Sequence, residues 1–220
     1  MKTIAVIGAG TMGKGIAYAS AVAGYKVIVN DISVEKMRVA KNDIFQLLEK
    51  SAEKGFLDKQ LSITVKNNLH FEIDFKTAVK DTDLIIEAVL EKIDLKIKIF
   101  QYAEKYCPKH TVFATNTSTM SPTEIGAQTS RPDRFIAMHF FNPVHKMKLI
   151  EIIKGMDTSR ETVTAIRKVA NRMDKETVEV NEFPGFVTSR INALIGNEAM
   201  NMLMEGVASV EDIDKAIKLG

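Results

Sequence analysis

The chain has one cysteine, Cys107, among its 220 residues. A lone thiol excludes an internal disulfide and suits a reducing compartment, so a cytoplasmic protein is expected. Charge of one sign is also lacking: 30 Lys and Arg stand interspersed with 28 Asp and Glu, for a net charge of +2. That balance points to neither a nucleic-acid nor a membrane surface. No apolar run is long enough to span a bilayer, and the one beginning at Thr3 leaves no room for a signal peptide. Repeats and low-complexity tracts are absent. What is present is 45% apolar residues, enough for a sizeable core in one or two domains.

The most informative stretch is the first thirty residues. Thr3 to Ile7 reads as a buried strand. Gly8-Ala9-Gly10-Thr11-Met12-Gly13 follows, then a helical stretch to about Ala23 and a second apolar run, Lys26 to Val29, closing on Asn30 and Asp31. Strand, glycine turn, helix, strand and acid is the order a dinucleotide site needs. Gly8 permits a sharp turn, Gly10 lets backbone N–H groups approach a pyrophosphate, and Gly13 lets the helix pack closely with its positive end toward the phosphates. Asp31 lies roughly 20 residues beyond, where a carboxylate can take the ribose hydroxyls and repel a 2′-phosphate, which favours NAD over NADP.

From Val34 to about Lys54 the periodicity predicts one long amphipathic helix, with Met37, Ala40, Ile44, Leu47 and Leu48 on its apolar face and Gly55 ending it. A second helical segment, about Asp58 to Asn67, makes a hairpin longer than a nucleotide-binding crossover needs. Lys50 and Lys54 sit one turn apart on it, placed either to hold a substrate phosphate or simply to form a solvated face. The doubly wound pattern then resumes with strands at Leu69 to Ile73, Asp83 to Val89, Thr111 to Thr115 and Arg134 to Met138. Ligands in open α/β sheets collect beyond the carboxyl ends of strands. Glu91, Asn116 and Ser118 lie at such ends, and His139 follows the last of these strands.

Glu151 interrupts the apolar run Leu149 to Ile153. A carboxylate in a buried strand must be paired, because burying it alone is costly. A histidine partner would meet that need and would itself be oriented and made basic for proton abstraction. His139 is the favoured partner. His145 is nearer in sequence but lies in the turn-like Pro143-Val144-His145-Lys146. After a helix from Ser159 and a strand at Thr177 to Val180, Pro184-Gly185 marks a boundary. Two helices follow, Val187 to about Glu205 and Val210 to Leu219, too few to enclose a core. They must cover their apolar faces on the first domain or on another chain.

Taken together, Val6 to Gly13, Asn116-Thr117-Ser118, Met138 to Pro143, Met147 to Glu151, Pro184-Gly185-Phe186 and Glu211 to Asp214 resemble the L-3-hydroxyacyl-CoA dehydrogenases, the bacterial 3-hydroxybutyryl-CoA enzymes most closely. The resemblance implies a Rossmann-type, mostly parallel sheet with a helical-hairpin insertion over residues 1–183. An all-helical domain for substrate and dimerisation would follow, of which residues 184–220 are an incomplete start. It implies reversible NAD-dependent oxidation of a short-chain (S)-3-hydroxyacyl-CoA, with His139 as base, Glu151 orienting it and Ser118 bonding the substrate oxygen. The cofactor contacts it implies are Gly8 to Gly13, Asp31, Glu91, Lys96, Asn116, Ser118 and Asn142, with CoA on Lys54 and no metal. After Pro-Gly-Phe many members carry an asparagine that reaches the active site; the matching catalytic position here is Ser189, which can still hydrogen-bond but reaches less far. A homodimer through the C-terminal helices is expected. The alternatives are a catalytically incomplete NAD-binding fragment or a dehydrogenase of free hydroxy or sugar acids. Acyl chain length, physiological direction and pathway stay open.

Overall fold

Apolar runs alternating with amphipathic stretches build one eight-stranded sheet with helices on both faces. The structure is a computed structural model and describes residues 1–220. Strand β1 (Thr3–Ile7) leads through a glycine turn into α1 (Thr11–Val22) and β2 (Lys26–Asn30). The hairpin is α2 (Val34–Glu53) and α3 (Lys59–Asn68), and β3 (Leu69–Phe71) follows it. Then come α4 (Phe75–Val79), β4 (Leu84–Glu87), α5 (Ile93–Ala103), β5 (Val112–Thr115), α6 (Pro122–Gly126) and β6 (Phe135–Phe140). The sheet closes with β7 (Leu149–Lys154), α7 (Arg160–Arg172) and β8 (Glu176–Asn181), and the chain ends in α8 (Thr188–Met204) and α9 (Val210–Leu219).

The strand order is β3-β2-β1-β4-β5-β6-β7-β8. Every neighbouring pair is parallel except β6 with β7. The order reverses between β1 and β4, so the chain leaves their carboxyl ends toward opposite faces and opens a crevice there, as expected of a Rossmann-type sheet. All four residues of β4 are buried, in keeping with a parallel strand covered on both faces. One core layer joins α1, α2 and α7 to the sheet through Ile16, Ile44 and Ile166, and the other joins α4, α5 and α6 through Val79, Phe100 and Ile125.

The hairpin folds for local reasons. The Ser33 hydroxyl accepts the Lys36 N–H at the start of α2, and Asp58 accepts from Gln60 and Leu61 at the start of α3. Between them Gly55 takes a left-handed φ of 73°. Met37, Ala40, Ile44 and Leu48 form the buried stripe of α2. The C-terminal helices differ. Helix α8 buries none of its residues and α9 only Ile213, and Leu194, Met200 and Met204 stand well exposed. Apart from the start of α8, where Thr188 bonds Glu151, the first domain therefore covers little of these helices.

One expectation needs correcting. His139 does not follow its strand but lies within it, at the second-last position of β6. The strand is extended by its antiparallel pairing with β7, in which Phe140 faces Ile150 and His139 faces Glu151.

Candidate active site

At the end of β1 the backbone of Gly8 is left-handed, φ 107°, and a Cβ there would lie 2.6 Å from the Ala88 carbonyl oxygen. A Cβ on Gly13 would fall 1.8 Å from the Gly8 carbonyl oxygen, so only glycine lets α1 start this close to the turn. Gly10 is different: a Cβ there would meet no protein atom within 4 Å. It is the N-cap of α1, with no side-chain cap and no acid in the first turn, so the helix presents free N–H groups and its positive end to open space. That arrangement fits a pyrophosphate. Thr11 is exposed and Met12 half-buried beside it. Asp31 at the end of β2 closes the far side, its carboxylate accepting from Ala9 N–H at 2.9 Å and Ser33 N–H at 3.0 Å.

At the ends of β4 and β5 an ionic network takes over. The Lys96 ammonium is 0% exposed and lies 2.8 and 2.9 Å from the two oxygens of the fully buried Glu87, and 3.0 Å from Glu91. Glu87 also accepts from Thr115 Oγ1 and Val89 N–H, which completes its partners. Glu91 is held further by the Thr117 hydroxyl and the Ser118 N–H. Lys96 is therefore spent on two carboxylates rather than free for a direct contact, and Glu91 is the member of the network that reaches the surface. Asn116 accepts the Phe140 N–H at 3.0 Å, which ties the end of β5 to that of β6. Asn142 is exposed on the rim of a small cavity of about 160 Å³ that it shares with Thr11, Lys14 and Pro143.

Facing one another across β6 and β7, His139 and Glu151 bond Nδ1 to Oε2 at 2.7 Å, with exposures of 6% and 0%. An ionised carboxylate only accepts, so Nδ1 carries the hydrogen and Nε2 is left as a proton acceptor with no partner in the chain. The Phe141 and Phe186 rings pack on the imidazole at 4.6 and 5.8 Å between centroids. Thr188 completes the shell of Glu151: its N–H donates to Oε1 at 3.0 Å and its hydroxyl to Oε2 at 3.2 Å. The sequence reading put Ser189 in this neighbourhood. Ser189 is half-buried and bonds to neither His139 nor Glu151; the residue of this turn that bonds Glu151 is Thr188. Glu87, Thr117 and Thr188 are the residues that reading missed; only the spacing of Glu87, Glu91 and Lys96 hinted at the first.

Lys50 and Lys54 stand over a separate cavity of about 650 Å³, together with Lys146, Lys148, Arg172 and Lys175. His145 lines the same cavity and touches Tyr18, not Glu151. Burial, and then the nearby Lys146 and Lys175, hold its imidazole below the ordinary histidine value. Burial likewise lowers Lys175, whose ammonium donates to the carbonyls of Val144 and Met147. Three groupings thus emerge: the glycine turn with Asp31, the Glu91–Ser118 corner, and the His139–Glu151 pair. All sit at the carboxyl ends of β1, β2, β4, β5 and β6, and His145 lines both the basic cavity and the small one at Thr11 and Asn142.

Residues 3–183 match the family model described as 3-hydroxyacyl-CoA dehydrogenase, NAD binding domain, and residues 185–220 match that of the 3-hydroxyacyl-CoA dehydrogenase C-terminal domain. The chain is 41% identical over 220 residues to a probable 3-hydroxybutyryl-CoA dehydrogenase of Bacillus subtilis (strain 168), covering 100% of this chain and 76% of that protein. To the mitochondrial hydroxyacyl-coenzyme A dehydrogenase of Rattus norvegicus it is 36% identical over 225 residues, covering 100% and 72%. Among solved structures, the (S)-3-hydroxybutyryl-CoA dehydrogenase of Ralstonia eutropha superposes with a TM-score of 0.94 at 38% identity, covering 100% and 77%.

Proposed function

The chain belongs to the 3-hydroxyacyl-CoA dehydrogenase family, and from that premise we propose that His139, braced by Glu151, is the proton-transfer group of its reaction. It is an NAD-dependent oxidoreductase that interconverts a 3-hydroxyacyl-CoA and the 3-ketoacyl-CoA. We take the substrate to be short, 3-hydroxybutyryl-CoA and acetoacetyl-CoA, after the names of the relatives. Such acyl groups belong to fatty-acid and butyrate metabolism.

The 2.7 Å bond between His139 Nδ1 and Glu151 carries this reading. It fixes the tautomer, so Nε2 takes the 3-hydroxyl proton in oxidation and returns it in reduction. The positive charge formed on the ring is offset by the buried carboxylate. Ser118 has a hydroxyl without a partner in the chain and is assigned to the substrate oxygen. Gly8 to Gly13 would hold the pyrophosphate, Asp31 the ribose hydroxyls, and Glu91, Asn116 and Asn142 the rest of the cofactor. When bound, NAD supplies the hydride acceptor. Lys96 acts one step back, through Glu91.

The basic cavity under Lys50 and Lys54 suits the phosphates of CoA. A free hydroxy acid would have no use for it. The same reading takes residues 1–183 as the cofactor domain and 184–220 as the beginning of the helical one, and assigns the exposed apolar face of α8 to a homodimer contact. The free thiol of Cys107 suits the cytoplasm. A spectrophotometric assay tests the assignment. Acetoacetyl-CoA should drive oxidation of NADH and much less of NADPH, and an absence of turnover with either would reject it.

A further inference from the structure

Glu151 is fully buried, yet only one of its three bonds goes to His139. The other two come from Thr188, the first residue of α8. The first turn of a helix has N–H groups without intrahelical acceptors. Here the residue before it, Val187, provides no side-chain cap, and the buried carboxylate of a distant strand takes that place. The chain reaches this position through two successive left-handed residues, Gly185 at φ 78° and Phe186 at φ 51°. For a bulky residue such a φ is strained and persists only where its surroundings enforce it. Phe186 is enforced: it is 4% exposed, packs with Ala137, Ile153 and Val180, and rests on the His139 ring.

We propose that Thr188 is a positioning residue of the proton-transfer pair, holding the Glu151 carboxylate in the plane that keeps Oε2 in line with His139 Nδ1. This rests on the reading of His139 as the base. A carboxylate bonded only to the imidazole could rotate about its own axis. The Thr188 N–H on one oxygen and its hydroxyl on the other fix both ends of the group. The N–H would be available from any residue at this position, whereas the hydroxyl is specific to Thr or Ser. Because Thr188 begins α8, the pair is aligned only when the Pro184–Val187 turn has delivered that helix to the sheet.

The test is Thr188→Val, which keeps the shape and removes the hydroxyl, beside Thr188→Ser, which restores it. With acetoacetyl-CoA and NADH, Thr188→Val should lower kcat about tenfold while both KM values move less than about twofold, and Thr188→Ser should recover most of the loss. If the valine chain does not fold, Thr188→Ala takes its place in the comparison. A kcat within about twofold of the parent, or a loss that serine does not repair, would overturn the proposal. A second readout needs no turnover: the downfield proton NMR signal of His139 Nδ1–H, identified by its absence in His139→Ala. It should shift in Thr188→Val and return in Thr188→Ser, and an unmoved signal would overturn the proposal. If the parent turns over no substrate, the functional reading fails, and this signal still decides the role of Thr188.

Discussion

Glu151 stands directly opposite His139 across β6 and β7, the one antiparallel pairing in an otherwise parallel sheet. Directly opposed residues share a face, so the register brings acid and imidazole within reach of one another, and they bond at 2.7 Å. The carboxylate's other two bonds come from the uncharged Thr188. Its charge is therefore directed at the imidazole, and an amide of the same shape removes that charge while also turning one of the two accepting oxygens into a donor.

Glu151→Gln should keep the fold but lower kcat about a hundredfold in both directions, since the ring's positive charge loses its counter-charge. Steady-state kinetics beside a circular dichroism spectrum check this. A kcat within a factor of about three would mean the carboxylate only fills space.

Gly10 and Gly13 should separate binding from folding. Gly10→Ala places a methyl where no protein atom lies, so the melting temperature should hold while NADH affinity falls about tenfold or more. Gly13→Ala drives a methyl into the Gly8 carbonyl and should lower the melting temperature itself. Equal NADH binding by Gly10→Ala and the parent would contradict the pyrophosphate assignment.

Removing Lys96 should be a stability defect first. Lys96→Met strands the buried Glu87 without its cation, a change expected to cost about 3–5 kcal/mol in urea unfolding. The double variant Glu87→Gln with Lys96→Met should regain part of it. An unchanged unfolding midpoint would show that the pair is not the closed, dry unit its geometry describes.

Lys54→Glu tests the basic cavity. It should raise the KM for acetoacetyl-CoA about tenfold and leave kcat nearly unchanged. For the acetoacetyl thioester of N-acetylcysteamine, which lacks the nucleotide, both KM and kcat should be the same in Lys54→Glu as in the parent. Equal effects on both thioesters would place the phosphates elsewhere.

These residues were not equally legible beforehand. The glycine turn and Asp31 could be read because each residue type answers a local demand: a left-handed φ, a missing Cβ, an acid at a strand end. Glu151 could be read because a lone acid in an apolar run needs a partner. The position of His139 inside β6 could not. All six residues of that strand are buried, so no alternation marks its end, and its length is set by pairing with β7. The resemblance gave Lys96 a cofactor contact, and its burial against Glu87 was not legible because that partner lies on another element. The contact of Thr188 with Glu151 could not be read either, because it follows the left-handed Phe186, a conformation that a phenylalanine does not announce.

The most direct measurement is the turnover of His139→Ala set beside its NADH affinity, with His145→Ala as companion. If Nε2 of His139 is the proton acceptor, His139→Ala loses about a thousandfold in kcat while its NADH dissociation constant stays near that of the parent, and His145→Ala keeps its rate. A His139→Ala protein that retains most of its turnover, above all if His145→Ala does not, would contradict the account at its centre.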